Sequence, residues 1–256
     1  MPKKLPPIPA PNQLKFRKNL SINMLLARVR KEFESIKEHR IKTISYKLTD
    51  VLMSALAMFG LKYPSLLQFD RCYSNQTLRT NLKNLYGVER VPSDTQMREI
   101  LDPVAPDALR PAFRQIHREL PRQKALESYR YLSGYLMSVD GTGQFSSTAI
   151  NCEECCSRTL RNGTEQDYHQ LLAAVIVHPE QKMVLPLFPE AITRQDGETK
   201  NDCERNAAKR LLPAIRTAFP KLSIIVLADS LAANAPHRRM LQELQMSYII
   251  VVKETD

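Results

Sequence analysis

Leu222-Ser-Ile-Ile-Val-Leu-Ala228 runs straight into Asp229-Ser230. The stretch has strand length, carries β-branched residues and shows no polar alternation. It therefore reads as a strand covered on both faces, as in a parallel sheet. Working outward, residues 201–219 place Ala207, Ala208, Leu211, Leu212, Ile215 and Phe219 on one helical face. Asn201 and Asp202 are suited to cap that helix, and Pro213 is expected to kink it. Downstream, Pro236 opens a second helix, and Ser247-Tyr-Ile-Ile-Val-Val252 is the next strand. Further upstream lie Tyr135-Leu-Met-Ser-Val-Asp140, Tyr168 to Val177 and Met183 to Phe188. His178-Pro-Glu-Gln-Lys182 reads as a turn between the last two, and Gly141 to Ser147 as the continuation of the first into a hairpin. Three meandering strands, a helix, a strand, a helix and a strand predict an α/β domain with one mixed sheet.

The grammar before residue 132 is different. Residues 1–12 (MPKKLPPIPAPN) are Pro-rich and read as extended, and from about 20 to 130 every apolar pattern is helical. Ser21 can cap a helix carrying Met24, Leu25, Val29 and Phe33. Thr49-Asp50 opens an apolar run that stops at Gly60, and another helix follows Pro64-Ser65. Leu78, Leu82 and Leu85 stripe a helix closed by Gly87, and Ser93 with Gln96 forms a capping box. A last helix spans about 106–120. The predicted organisation is an arm with a first helix (1–42), a helical domain (43–131) and an α/β domain (132–256). The strand order of the last is that of ribonuclease-H-like domains.

Composition excludes several classes. With 43% hydrophobic and 25% charged residues, the chain is globular rather than fibrous. The best apolar run, Val51 to Leu61, is too short to span a bilayer, and Pro-rich sequence follows Lys3-Lys4 where a signal would need an apolar core. Five cysteines, an odd number in a long chain, point to a reducing compartment rather than a disulfide scaffold. The net charge of +10 is unevenly placed. Residues 1–42 hold eleven Lys/Arg against Glu32, Glu34 and Glu38, a net +8. A basic arm on a near-neutral body suits a polyanion, since each cation placed at a phosphate releases counterions. Lys15, Arg17, Lys18, Arg28, Arg30 and Lys31 are the candidate DNA contacts.

Two carboxylates carry the chemistry. Asp140 ends an apolar strand and precedes Gly-Thr-Gly, where the backbone is bare; Asp229 ends the buried strand. Each could merely cap a turn, but if their strands are neighbours the two acids lie side by side. Paired carboxylates on divalent ions are the recurring device of phosphodiester chemistry. Over the segments SYKLTDVLMSALAMFGLKYPSLLQFD (45–70), VPSDTQMREILDPV (91–104), SVDGTGQFSS (138–147), DYHQLLAAVIVHP (167–179), ETKNDCERNAAKRLLPAI (198–215), VLADSLAAN (226–234) and YIIVVKETD (248–256), the chain resembles bacterial insertion-sequence transposases of the DDE class. The resemblance implies a ribonuclease-H-like core in which Asp140 and Asp229 are the first two catalytic acids and metal ligands, with Mg²⁺ or Mn²⁺ as cofactor. It implies double-stranded DNA, the transposon's terminal inverted repeats, as partner, a cytoplasmic, nucleoid-associated location, and is compatible with a homodimer. The family's third acid is a Glu on a helix beyond the fifth strand, and this sequence stops at Asp256 before it. The expectation is a C-terminally truncated, catalytically incomplete transposase; replacement of the third acid by Glu204, Glu254 or Asp256 is the less favoured reading.

Cys152-Glu-Glu-Cys155 has zinc-ligand spacing, Cys156 adjoins it, and folding could bring up His169 and Cys203. Buried thiols without a metal are the plainer reading. Arg205, Lys209 and Arg210 recur at helical spacing and suit either DNA or a solvated face. Asp140-Gly-Thr is also similar to the D-x-D-G-T of haloacid-dehalogenase-like phosphatases, but Ser138 stands where the nucleophilic Asp is required, and a hydroxyl forms no aspartyl-phosphate. The alternative function is a non-catalytic DNA-binding fragment that occupies transposon ends.

Overall fold

The computed structural model describes residues 18–41, 44–196 and 200–252. The chain divides into two compact units, residues 1–124 and 125–256.

Every element described in the first unit is helical. A 3₁₀ turn (Lys18–Leu20) leads into α1 (Ile22–Glu34), followed by α2 (Leu48–Gly60), α3 (Leu66–Arg71), α4 (Gln76–Tyr86), α5 (Asp94–Leu101) and α6 (Arg110–Arg122). Short polar residues set the starts. Ser21, Ser65 and Asn75 accept backbone N–H bonds at α1, α3 and α4, and Ser93 with Gln96 closes a capping box on α5. Val51, Met53, Ala57, Phe69, Leu82 and Met97 are almost fully buried together. Leu26, Val29 and Phe33 of α1 belong to the same core, so residues 22–34 are part of the helical unit and not of the arm.

The second unit is a mixed α/β domain around one mixed sheet of eight strands. Its elements are β1 (Arg130–Tyr131), β2 (Gly134–Ser147), β3 (Cys156–Thr159), β4 (Glu165–Val177), β5 (Leu185–Pro186), β6 (Glu190–Ile192), α7 (Lys200–Ala218), β7 (Ile224–Ala228), α8 (Ala235–Glu243) and β8 (Ser247–Ile250). The main path is β3-β4-β2-β7-β8, with β1 against β2, and β5 and β6 against β4. β2 and β4 are antiparallel; β2 with β7 and β7 with β8 are parallel. Parallel pairs need crossovers, and α8 joins β7 to β8. Ala207, Leu211, Leu212 and Ile215 on α7 are fully or almost fully buried, as are Met137, Ile176 and Val226 on the sheet.

The first strand does continue through Gly141 to Ser147: β2 runs past Asp140 and pairs with β4 as far as Ser147↔Asp167, with one irregularity between Gly143 and Phe145. Two local readings change. Residues 183–188 do not form one strand. Pro186 and Pro189 have no N–H to donate, so the ladder breaks into the two-residue β5 and a separate β6. β3, absent from the periodicity reading, pairs with β4 through a turn at Asn162-Gly163, whose glycine has φ +81°. The side chains of Asn201 and Asp202, read as helix caps, lie outside the described residues, as do Glu254 and Asp256.

Candidate active site

The β2–β7 ladder ends at Ser138↔Leu227; Asp140 lies two residues further along β2 and Asp229 directly after the last residue of β7. Neighbouring strands are about 4.8 Å apart. Both acids line one cavity of about 50 Å³, whose apolar wall includes Leu172, Leu212 and Val226. Both are exposed. Each also does the work of a local cap: Asp140 Oδ1 accepts from Gly141 N–H at 2.8 Å, and Asp229 Oδ1 accepts from Leu231 N–H at 3.0 Å. These bonds use Oδ1 in both residues.

Glu204, on the first half of α7, lines the same cavity. Its carboxyl lies directly over Gly141, where an added Cβ would come within 2.8 Å of Glu204 Cδ. The glycine after Asp140 is thus a close-approach position for a third carboxylate. This clearance was legible only as a bare backbone in the sequence. Arg205 and His237 complete the polar lining. His237 sits in the first turn of α8, where its N–H donates to the Asn234 cap at 3.0 Å. Its Nε2 is buried, and burial lowers its pKa below the ordinary histidine value, so the ring stays neutral near pH 7. No periodicity flagged His237; the Asn-Ala-Pro-His start of a helix was its only signal.

Of the other site candidates, Arg210 is committed elsewhere. It bonds to both oxygens of Asp196, to Glu190 Oε1 at 2.7 Å and to Ala191 O at 2.9 Å, tying α7 to β6 and to the short turn after it. Lys209 is exposed and donates to Asn206 Oδ1 at 2.8 Å. In the first unit, Arg28 pairs with buried Glu119 at 3.3 Å, and Arg30 pairs with Asp50 at 2.5 Å and donates to Tyr86 O. These two guanidiniums hold α1 in its own unit. Lys31 is exposed; Lys15, Arg17 and the Lys18 side chain lie outside the described residues.

The cysteines separate into two places. Cys152, Cys155 and His169 converge, with their ligand atoms within 4.8 Å of one another. Cys156 and Cys203 are buried away from that group, Cys156 Sγ lying 3.9 Å from Ile192 O.

No protein-family model matches the chain, and no curated protein matches it. Among solved structures the chain is similar to a pre-cleavage Mos1 transpososome, at 14% identity and a TM-score of 0.19, over 84% of this chain and 61% of that one. It is also similar to the Mos1 mariner paired end complex with Mn, at 16% identity and a TM-score of 0.19, over 87% of this chain and 65% of that one. The chain spans less than two thirds of the length of either.

Proposed function

We propose that the chain is a DNA transposase of the DDE class, acting at the ends of an insertion sequence, with Asp140, Asp229 and Glu204 as its carboxylates. One observation carries this reading. Two acids 89 residues apart in sequence share a cavity where β2 passes the end of the neighbouring parallel strand β7, and a glycine clears space there for a third. The path β4-β2-β7-β8, one antiparallel pairing followed by two parallel ones, supports a ribonuclease-H-like core.

The donor set fits Mg²⁺ or Mn²⁺, since carboxylate oxygens are the hard ligands these ions prefer and three carboxylates line the cavity. Bound there, such ions activate an attacking oxygen and stabilise the leaving one in phosphodiester cleavage and strand transfer. The chain's own groups prepare the place. The backbone bonds to Oδ1 hold each Asp in one orientation. His237, kept neutral, adds no cation to compete with a metal. Arg205 at the cavity and exposed Lys209 beside it on α7 bring positive charge to a DNA phosphate. The basic N-terminal segment supplies sequence-independent contacts to double-stranded DNA.

The test is nicking of a supercoiled plasmid carrying the DNA that flanks the coding sequence, with Mg²⁺ or Mn²⁺. The unaltered chain is expected to nick. Asp140→Asn and Asp229→Asn should keep their circular dichroism and melting temperature while nicking falls to the protein-free level. Glu204→Gln should do the same. Gly141→Ala should cost less than about 1 kcal/mol of stability, because the obstructing atom ends a flexible side chain, yet impair nicking by displacing Glu204. A native chain that binds this DNA with full salt dependence but never nicks it would favour the non-catalytic DNA-binding alternative. Unfolding of Asp140→Asn would make that residue a structural cap.

A further inference from the structure

We propose that Cys152, Cys155 and His169 form a zinc site that fastens the loop after β2 to β4, separate from the carboxylate cavity. Cys152 and Cys155 sit on a tight turn closed by Cys155 N–H donating to Cys152 O at 3.1 Å. That turn brings the two sulfurs to 3.6 Å from each other. His169, on β4, places Nε2 3.3 Å from each sulfur. The imidazole lies beside Phe145, its cross-strand partner on β2, at a centroid distance of 6.3 Å.

Three distances of nearly equal length decide between a metal and ordinary hydrogen bonding. A tetrahedral zinc with Zn–S near 2.3 Å and Zn–N near 2.05 Å requires S···S of about 3.8 Å and S···N of about 3.6 Å. The observed triangle is within about 0.3 Å of those edges on every side. Thiol–imidazole hydrogen bonding predicts something less symmetric. One nitrogen lone pair takes one S–H, so one sulfur should be close and the other not. A disulfide is excluded as well, since it would put the sulfurs about 2.05 Å apart. Two thiolates and a neutral imidazole suit zinc over the hard ions favoured by the carboxylates. Binding neutralises the divalent charge and releases two thiol protons. The backbone N–H of Cys152 also donates to Cys155 Sγ at 3.3 Å, which holds the turn closed around the sulfurs. Cys152 is exposed, so the fourth position opens to solvent.

The mechanical consequence follows from where the three ligands sit. Residues 148–155 form no helix or strand, and Ile150 in this segment is two-thirds exposed. The turn at Cys152–Cys155, the burial of Cys155 and the bonds to Ser147 Oγ hold this segment, and a metal would add a bond to β4. Zinc would tie that loop to the far half of the β2–β4 ladder, the ladder whose near half carries Asp140.

The experiment is zinc stoichiometry on the purified full chain, with Co²⁺ substitution as the spectroscopic probe. One zinc per chain should survive dialysis, and Co²⁺ should give thiolate charge-transfer absorption with the intense visible bands of a tetrahedral ion. Cys152→Ser, His169→Gln and Cys155→Ser should each lose the retained zinc and the charge-transfer band, and His169→Cys should restore tetrahedral cobalt. Cys152 is exposed, so its serine variant reports even if Cys155→Ser fails to fold. Asp140→Asn with Asp229→Asn should leave zinc and spectrum unchanged, which separates this site from the transposase reading. The proposal is overturned if the native chain, refolded with excess Zn²⁺, retains none. It is equally overturned if bound cobalt lacks thiolate absorption, or if a Cys156→Ser, Cys203→Ser double variant that remains folded loses the metal.

Discussion

A single guanidinium shows what a side chain on α7 contributes beyond helix formation. Arg210 meets Asp196, 5% exposed as a side chain, and Glu190, 10% exposed. Burial would push the Asp196 carboxyl up, but hydrogen bonds from Arg210 and from Thr193 N–H outweigh it, and its pKa lies below the ordinary value. The Arg210 guanidinium, bonded to Asp196, is raised in turn. A carboxyl lowered in the folded state adds stability that is complete above its unfolded pKa, about 3.9. That stability is lost as pH falls from there through the lowered folded value. Arg210→Ala is therefore expected to destabilise the α/β unit by about 2–3 kcal/mol at pH 7, since two buried carboxylates lose their partner. Part of that loss should be recovered in Arg210→Ala with Asp196→Asn. Urea titrations at pH 7 and across pH 5 to 2 measure both; an unchanged midpoint for Arg210→Ala would show the network to be dispensable.

At the scale of elements, the pairing that brings Asp140 to Asp229 depends on how closely β2 approaches the chain entering β7. Tyr135 N–H donates to Ser223 O at 2.8 Å, and a Cβ on Gly134 would stand 2.6 Å from that same oxygen. The obstacle is backbone and cannot swing aside. Gly134→Ala is expected to cost about 1–3 kcal/mol, the range for overpacking a well-filled site. Because the strain falls on the β2–β7 junction, nicking should decline more than stability alone explains. Chemical denaturation beside the plasmid assay tests this, and an alanine variant of native stability would mean that the two strands tolerate separation here. The same elements show why some boundaries were unreadable. Apolar periodicity locates 222–228 and 168–177, but it cannot see that only Leu185–Pro186 of 183–188 pair in the sheet, since that depends on which N–H groups the ladder needs.

For the molecule as a whole, the basic N-terminus is the feature most open to experiment. Deleting all of residues 1–42 would remove α1, whose Leu26, Val29 and Phe33 are core, and would unfold the helical unit. Deleting residues 1–17 takes Lys3, Lys4, Lys15 and Arg17 and leaves every described element in place. DNA affinity is then expected to fall for all sequences alike. The slope of log affinity against log salt should flatten by about 0.9 per lost phosphate contact. A slope that does not change would reduce the segment to a tail. Arg28 and Arg30 belong in a different experiment, since their ion pairs with Glu119 and Asp50 make any substitution a stability mutation as well.

The sequence by itself determined the alternation of strands and helices after residue 132, the helical character before it, and Asp229 as a strand-end residue; Asp140, read as one, lies mid-strand in β2. These follow from local rules: hydrophobic period and caps. It also marked the Cys152–Cys155 pair, whose spacing is local. Tertiary structure alone decided what meets what. The pairing of β2 with β7 brings Asp140 and Asp229 to one cavity, α7 carries Glu204 over Gly141, and β4 brings His169 to the two sulfurs. Tertiary structure also turned Arg28, Arg30 and Arg210 inward to carboxylates. The physical reason is that a pattern fixes which face of an element is buried. The partner across that face comes from strand pairing and helix packing between segments far apart in the chain, and no local period encodes it.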